Sequence, residues 1–221
     1  MNTHDAIRQR HSTRAFLNKA VSKEQLNRIL DIARYAPSGA NTQPWQVAVV
    51  SGESKIKLQQ LIEQAFNDGI ESQTDYQYYP VTWQAIYKAR RRECGLQLYS
   101  SLDIAKEDSD KRQAQWLANY RAFDAPVMLL FFIDPEMETG SFLDYGMFIQ
   151  SVMLAAMEEG LASCAQAALA EYPDIVKQSL NYNADAKLIC GMALGYEDLG
   201  ADVNQYRTAR EPVANFTQYF D

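Results

Sequence analysis

A single domain of helices interleaved with a few buried strands is the class this sequence predicts. Three observations carry it. Pro126–Ile133, Pro-Val-Met-Leu-Leu-Phe-Phe-Ile, is an unbroken apolar run of strand length, which fits a strand buried on both faces. Gln46–Val50 and Lys187–Leu194 are further strand-type runs. Elsewhere apolar residues recur at helical spacing, as in Leu26, Ile29, Leu30 and Ala33. The chain has 221 residues, 47% hydrophobic and 22% charged, a length and mixture suited to one compact domain.

Taken in order, Thr3 is the expected N-cap of a first helix running to about Arg10, with Asp5 favourable in its first turn. Arg10-His11-Ser12-Thr13-Arg14 follows. Arginines four apart put both guanidinium groups on one side of a turn or helix. Each offers a planar fork of donors suited to a phosphate monoester, and Ser12 and Thr13 add short-range donors. The same residues suit a solvated basic helix end, because charge clusters usually face water. Thr13–Phe16 reads as a brief extended piece.

Ser22 to Gln25 fits a capping box that opens a second helix, which stops near Pro37. Ala36–Trp45, Ala-Pro-Ser-Gly-Ala-Asn-Thr-Gln-Pro-Trp, is a loop by composition. Gln46–Val50 is apolar enough to predict a buried strand, and Lys55–Phe66 an amphipathic helix. Over residues 67–110 the pattern weakens. Tyr76, Tyr78, Tyr79, Trp83 and Tyr87 precede the basic run Arg90-Arg91-Arg92. Aromatics interleaved with arginines could hold a nucleic-acid strand, but the acidic net charge and the lack of a recognisable module favour a helical insertion that lines a pocket or covers an interface. Ala114–Phe123 continues as a helix.

Asp144–Glu159 is apolar around much of its circumference, which predicts a central buried helix ending at Gly160. Leu161–Ala168 is a run of small residues, expected to pass close beneath a flat ligand. Pro173–Leu180 predicts a short helix, and Lys187–Leu194 a strand followed by Gly195-Tyr196. The tail from Asn204 carries Arg207, Arg210 and Pro212. Its apolar end, Asn215–Phe220, suggests pairing with another chain.

The net charge of −7 argues against a general nucleic-acid surface, yet leaves room for an internal basic site holding a small anion. Cys94, Cys164 and Cys190 are scattered, and His4 and His11 are the only histidines. Neither a structural zinc site nor a disulfide framework is expected, which favours a reducing compartment. The N-terminus is polar, and no run approaches the roughly 20 apolar residues of a membrane span. A cytoplasmic protein with no membrane association is the expectation.

Arg10–Arg14, Ala36–Trp45 and the Arg210-Glu211-Pro212 tail together resemble the FMN-dependent nitroreductase family. Asp144-Tyr145-Gly146 at a central helix, Gly160-Leu161, and a late Gly-Tyr after a strand fall in the same order. The resemblance runs from about residue 3 to 217. It implies an α+β fold around a mixed central sheet flanked by helices, as one FMN-binding domain with 67–110 as a variable helical insertion. It also implies a homodimer whose C-terminal extension crosses to the partner, with FMN sites at the interface.

On that resemblance, Arg10, His11, Ser12 and Arg14 would hold the FMN phosphate and ribityl chain, joined by Arg210 and, less surely matched, Arg207. Pro37, Ser38, Gly39 and Asn41 would come from the partner and line the ring. The turn at Ala165–Ala168, with Gln166, Ala167 and Ala168, would pass its backbone over the ring and set an amide near N5. Asn119 would lie beside the flavin, and Tyr76–Tyr87 with Tyr120 would shape the acceptor pocket. The implied reaction is ping-pong: NADH or NADPH reduces FMN at N5, then a small aromatic acceptor, nitroaromatic or quinone, takes an electron pair. No side-chain acid–base pair is required. The same fold and cofactor could instead serve dehalogenation, dehydrogenation, flavin breakdown or flavin binding without turnover.

Overall fold

The computed structural model describes residues 1–220. Seven α-helices and four strands follow in the order α1 Thr3–Gln9, α2 Lys23–Ala33, β1 Gln46–Ser51, α3 Gly52–Asn67, α4 Ala85–Ser101, α5 Ser109–Tyr120, β2 Val127–Ile133, α6 Thr139–Glu158, β3 Ala162–Gln166, α7 Pro173–Leu180 and β4 Lys187–Gly195. The strands form one sheet in the order β1-β2-β4-β3, and every strand pair is antiparallel. The parallel component expected of a mixed sheet is one bridge, Ser12 to Ser163.

β2 is buried at all seven positions, as an unbroken apolar run requires of a strand covered on both sides. Met128, Leu130 and Phe132 face one cluster, which takes in Leu58 and Ile62 of α3 and Val176 of α7. Val127, Leu129, Phe131 and Ile133 face the other, with Ile29 of α2 and Tyr145, Phe148 and Val152 of α6. The molecule is therefore three layers, with α3, α5 and α7 on one side of the sheet and α2 and α6 on the other. Full burial of each such aliphatic or aromatic side chain stabilises by about 1.5–3 kcal/mol. In β4 the alternation slips, with Ile189 and Cys190 both on the α6 side, and the β2 register shifts between Phe131 and Phe132. The slip turns Gly191 toward Leu169, where a Cβ would stand 2.5 Å from Leu169 Cδ1.

The capping box of α2 forms as its sequence requires. The first helix is capped one residue earlier than expected, because Asn2 Oδ1 accepts from the Asp5 amide at 2.9 Å. The small-residue run Leu161–Ala168 contains the edge strand β3, Ala162–Gln166, since small side chains pack against β4 although their strand propensity is low, and the turn expected at Ala165–Ala168 begins only at Ala167. β1 is less buried than its composition suggests. It is the other edge of the sheet, with Val50 buried and Val49 42% exposed. Helix α6 begins at Thr139 rather than Asp144, and α5 begins at Ser109 and stops at Tyr120. Of α6, the stripe Asp144, Tyr145, Phe148, Val152 and Ala156 is buried, so the helix is central on one face only. The tail end Asn215–Phe220 forms no strand within this chain.

Candidate active site

Two cavities adjoin the edge of the sheet at β3. The first, about 870 Å³, is lined by Arg10, His11, Ser12 and Arg14 from the N-terminal segment and by Arg207 and Arg210 from the tail. Local structure explains the convergence. After α1 the chain runs extended along β3, with the Thr13 amide donating to Ser163 O at 3.1 Å. Asn204, buried, then ties the tail to this segment by accepting from the Arg14 amide at 2.8 Å and donating to Ala15 O at 2.9 Å. Residues nearly two hundred positions apart are thereby held on one cavity.

Among the described residues, none of Arg10, Arg14, Arg207 and Arg210 is paired with a carboxylate, whereas Arg28, Arg34, Arg90 and Arg121 all are. Arg14 is oriented by donating to Ser12 O and Tyr206 Oη, both at 3.2 Å. Arg207 and Arg210 donate to carbonyls of their own tail segment. Burial holds the Arg10 guanidinium below its ordinary pKa, and the nearby Arg210 charge pushes the same way. A cluster of like charges without counter-charge is unfavourable unless an anion joins it. His11 lines the cavity but spends both ring nitrogens inside the chain. Nδ1 lies 3.0 Å from Gln9 O, and Nε2 lies 2.8 Å from Glu197 Oε1. Glu197, the carboxylate on this cavity, is thus engaged by His11 rather than by an arginine.

The second cavity, about 420 Å³, shares Arg14 with the first. One wall is Cys164–Ala168, where Ala165 is open and Cys164 and Gln166 are buried. Burial raises the Cys164 thiol, and its side chain is a filler of the sheet rather than an exposed nucleophile. Gln166 is positioned by Asn119, whose backbone oxygen accepts from Gln166 Nε2 at 3.0 Å. Gln166 Oε1 is buried and has no partner. The opposite walls come from Tyr79 and from Arg91, Tyr99 and Trp116 of α4 and α5. The 67–110 segment therefore lines a pocket. Helix α4 itself buries no residue, and its neighbour strap is anchored by Asp75, which accepts from the Leu188 amide at 2.7 Å and pairs with Lys177 at 3.2 Å.

Tyr120 does not face this cavity. It is fully buried, and its hydroxyl donates to Glu171 Oε2 at 2.6 Å. Tyr76 also turns inward, donating to Ile189 O at 2.7 Å. Pro37, Ser38, Gly39 and Asn41 line neither cavity of their own chain. Their loop is held by the Gly39 amide donating to Asp144 Oδ2 at 3.2 Å, and it carries positive φ at Ala40, Asn41 and Gln43. Left-handed non-glycine residues of this kind cost about 1–3 kcal/mol each where side chains lack a local compensation. The residues that sequence reasoning missed are Tyr206, Glu197, Asn204 and Glu171. Of these only Tyr206, adjacent to Arg207, carried a local signal.

The model of the family described as "Nitroreductase family" matches residues 7–196. The chain is 37% identical over 213 residues to the 4-nitrobenzoate reductase of Pseudomonas putida, covering 96% of this chain and 93% of that protein. Its fold matches the crystal structure of the FMN and NADPH-dependent nitroreductase NfnB from sphigopyxis sp. strain HMH with a TM-score of 0.97 and 38% identity, over 100% of both chains. It matches the FMN-dependent nitroreductase NfnB from Mycobacterium smegmatis in complex with NADPH with a TM-score of 0.94 and 32% identity, over 99% and 97% of the two chains. Likeness of this extent, in both sequence and fold, leads to one conclusion: the chain belongs to the nitroreductase family.

Proposed function

We propose that this protein is an FMN-dependent oxidoreductase that passes reducing equivalents from NADPH or NADH to nitroaromatic or quinone acceptors. The observation that carries the reading is the pair of cavities meeting at Arg14, one lined by arginines and one walled by Cys164–Ala168. The residues fit the cofactor. Arginines without carboxylate partners suit a phosphate dianion, with Arg10, Arg14, Arg210 and Arg207 supplying charge and Ser12 a short donor. The alanine-rich wall at Ala165–Ala168 lets a flat ring approach the backbone, and the unpartnered Gln166 Oε1 suits a ring N–H. Bound there, FMN supplies reversible two-electron chemistry at N5. The chain's own part is to hold the phosphate, orient the ring, and favour its reduced, anionic form with an amide of the wall. His11 acts at one remove, fixing Glu197 away from the arginines. Asn119 acts likewise by fixing Gln166.

The working unit in this reading is a homodimer. Pro37, Ser38, Gly39 and Asn41 complete the partner's ring site, and the C-terminal extension packs on the partner. Support comes from the tail, where Phe216, Tyr219 and Phe220 are 68, 83 and 88% exposed, and from the half-open face of α6. We take the chain as one domain with 67–110 as its covering segment, acting in the cytoplasm. No helix of the described residues is long and apolar enough to cross a membrane.

The test is the visible spectrum of the purified protein under nitrogen. A flavin spectrum that bleaches on addition of NADPH or NADH, and returns with a nitroarene, is expected. A flavin spectrum that neither donor bleaches would refute the reductase, and protein that cannot be loaded with FMN would refute the site.

A further inference from the structure

We infer that the second cavity selects aromatic acceptors that carry a carboxylate, and that Arg91 is the residue that recognises it. This rests on the reductase reading above. Arg91 lines the cavity from α4. Its guanidinium carbon lies 5.0 Å from the ring centre of Tyr79 and 5.1 Å from that of Trp83. Both rings lie within cation–π range of the guanidinium and restrain it before a planar anion arrives. The adjacent Arg90 is committed elsewhere, 3.0 Å from Glu211. Arg91 has no ion pair and no hydrogen bond among the described residues, so its donors are free for a ligand.

The rest of the cavity favours an aromatic body on that anion. Leu98, Tyr99, Trp116 and Phe123 supply apolar and aromatic wall. The one carboxyl on the cavity is Glu171, and it does not cancel the positive charge. Its Oε2 accepts from Tyr120 at 2.6 Å, and burial shifts it toward the neutral form. The recognised group is therefore an anion on a ring, and the planar fork matches a carboxylate with two parallel hydrogen bonds. The other source of an anion is the phosphate of the nicotinamide donor, and the test separates the two.

The FMN-loaded protein is assayed with 4-nitrobenzoate and with nitrobenzene, which differ by one carboxylate. Binding of benzoate, which is not reducible, is read separately from the perturbation of the flavin absorbance. In Arg91→Gln the ratio of kcat/KM for 4-nitrobenzoate over nitrobenzene should fall about tenfold, through KM, and the benzoate Kd should rise by about the same factor. Arg92→Gln, one position on and outside the cavity, should change neither. An unchanged ratio and an unchanged benzoate Kd in Arg91→Gln would overturn the inference. So would a raised KM for the donor with the acceptor ratio intact, which would assign Arg91 to a donor phosphate: the 2′-phosphate if only NADPH is affected, the pyrophosphate if NADH is affected too. The benzoate measurement reads the subsite even if neither nitroarene is reduced, a result that would refute the reductase reading instead.

Discussion

Arg10 carries the most discriminating prediction, because its effects on folding and on binding should have opposite signs. Its side chain makes no hydrogen bond or ion pair among the described residues, and the only bond it anchors is from its backbone amide to Ala6 O at 3.0 Å. Burial and Arg210 both disfavour its charge. In the absence of an anion the guanidinium therefore contributes nothing favourable to the fold. Arg10→Met keeps the apolar stem and removes the charge. The apoprotein should melt at the same temperature or higher. FMN affinity should fall, because one charge-assisted hydrogen bond to phosphate is worth about 1.5–3 kcal/mol, roughly a ten- to hundredfold change in Kd. By linkage, the stabilisation that saturating FMN confers on the folded protein should shrink by about the same energy. The assay is a flavin fluorescence titration of the apoprotein, paired with thermal melts with and without FMN. An unchanged Kd would refute the phosphate assignment. A loss of apoprotein stability matching the loss of affinity would show that Arg10 is structural, and the argument from its missing partner would fail.

Arg14→Ala should also reduce FMN retention, far more than the surface control Lys106→Ala, but at some cost to the fold because Arg14 donates to Ser12 O and Tyr206 Oη; equal flavin content after gel filtration would count against it. Gly191→Ala should destabilise by about 1–3 kcal/mol, since its Cβ would meet Leu169 Cβ at 2.6 Å and Leu169 cannot yield without moving the wall beside Ala168; a urea midpoint equal to that of the parent would refute the packing. Glu171→Gln tests the buried carboxyl by pH. Burial raises its folded-state pKa, so between the ordinary carboxylate value and the raised one the folded form keeps a proton that the unfolded form has lost. Stability from this group therefore falls as pH rises through that interval. The variant should match the parent at low pH and gain on it as pH rises, in urea unfolding from pH 4 to 8; a difference that does not change with pH would contradict the burial.

Much of the fold is legible locally because local structure follows local pattern. The apolar run at Val127–Ile133 could be satisfied only by a strand covered on both faces. Ser22 and Gln25 satisfy each other's amides whatever lies beyond, and Pro173 at the start of α7 removes a donor the helix could not use. Arg10 and Arg14 show in the sequence as two donor forks on one side of a turn, a pattern that suits an anion and also a solvated helix end.

What the tertiary structure alone decided concerns partners far apart in the chain. Whether Ala162–Gln166 is strand or turn depended on the edge that β4 leaves open, not on its own weak propensity. That Gln46–Ser51 is an edge rather than a core strand depended on sheet order. His11 lines the cationic cavity, and nothing near it in the chain announces that its Nε2 meets Glu197 at 2.8 Å, 186 residues later. Tyr120 looks like a pocket wall until Glu171 claims its hydroxyl. Side-chain type sets which hydrogen bonds and charges a residue can offer, and the sequence states that fully. Which offers are taken up inside the fold, and which remain for a ligand, is settled by packing between distant segments, and no local pattern encodes it.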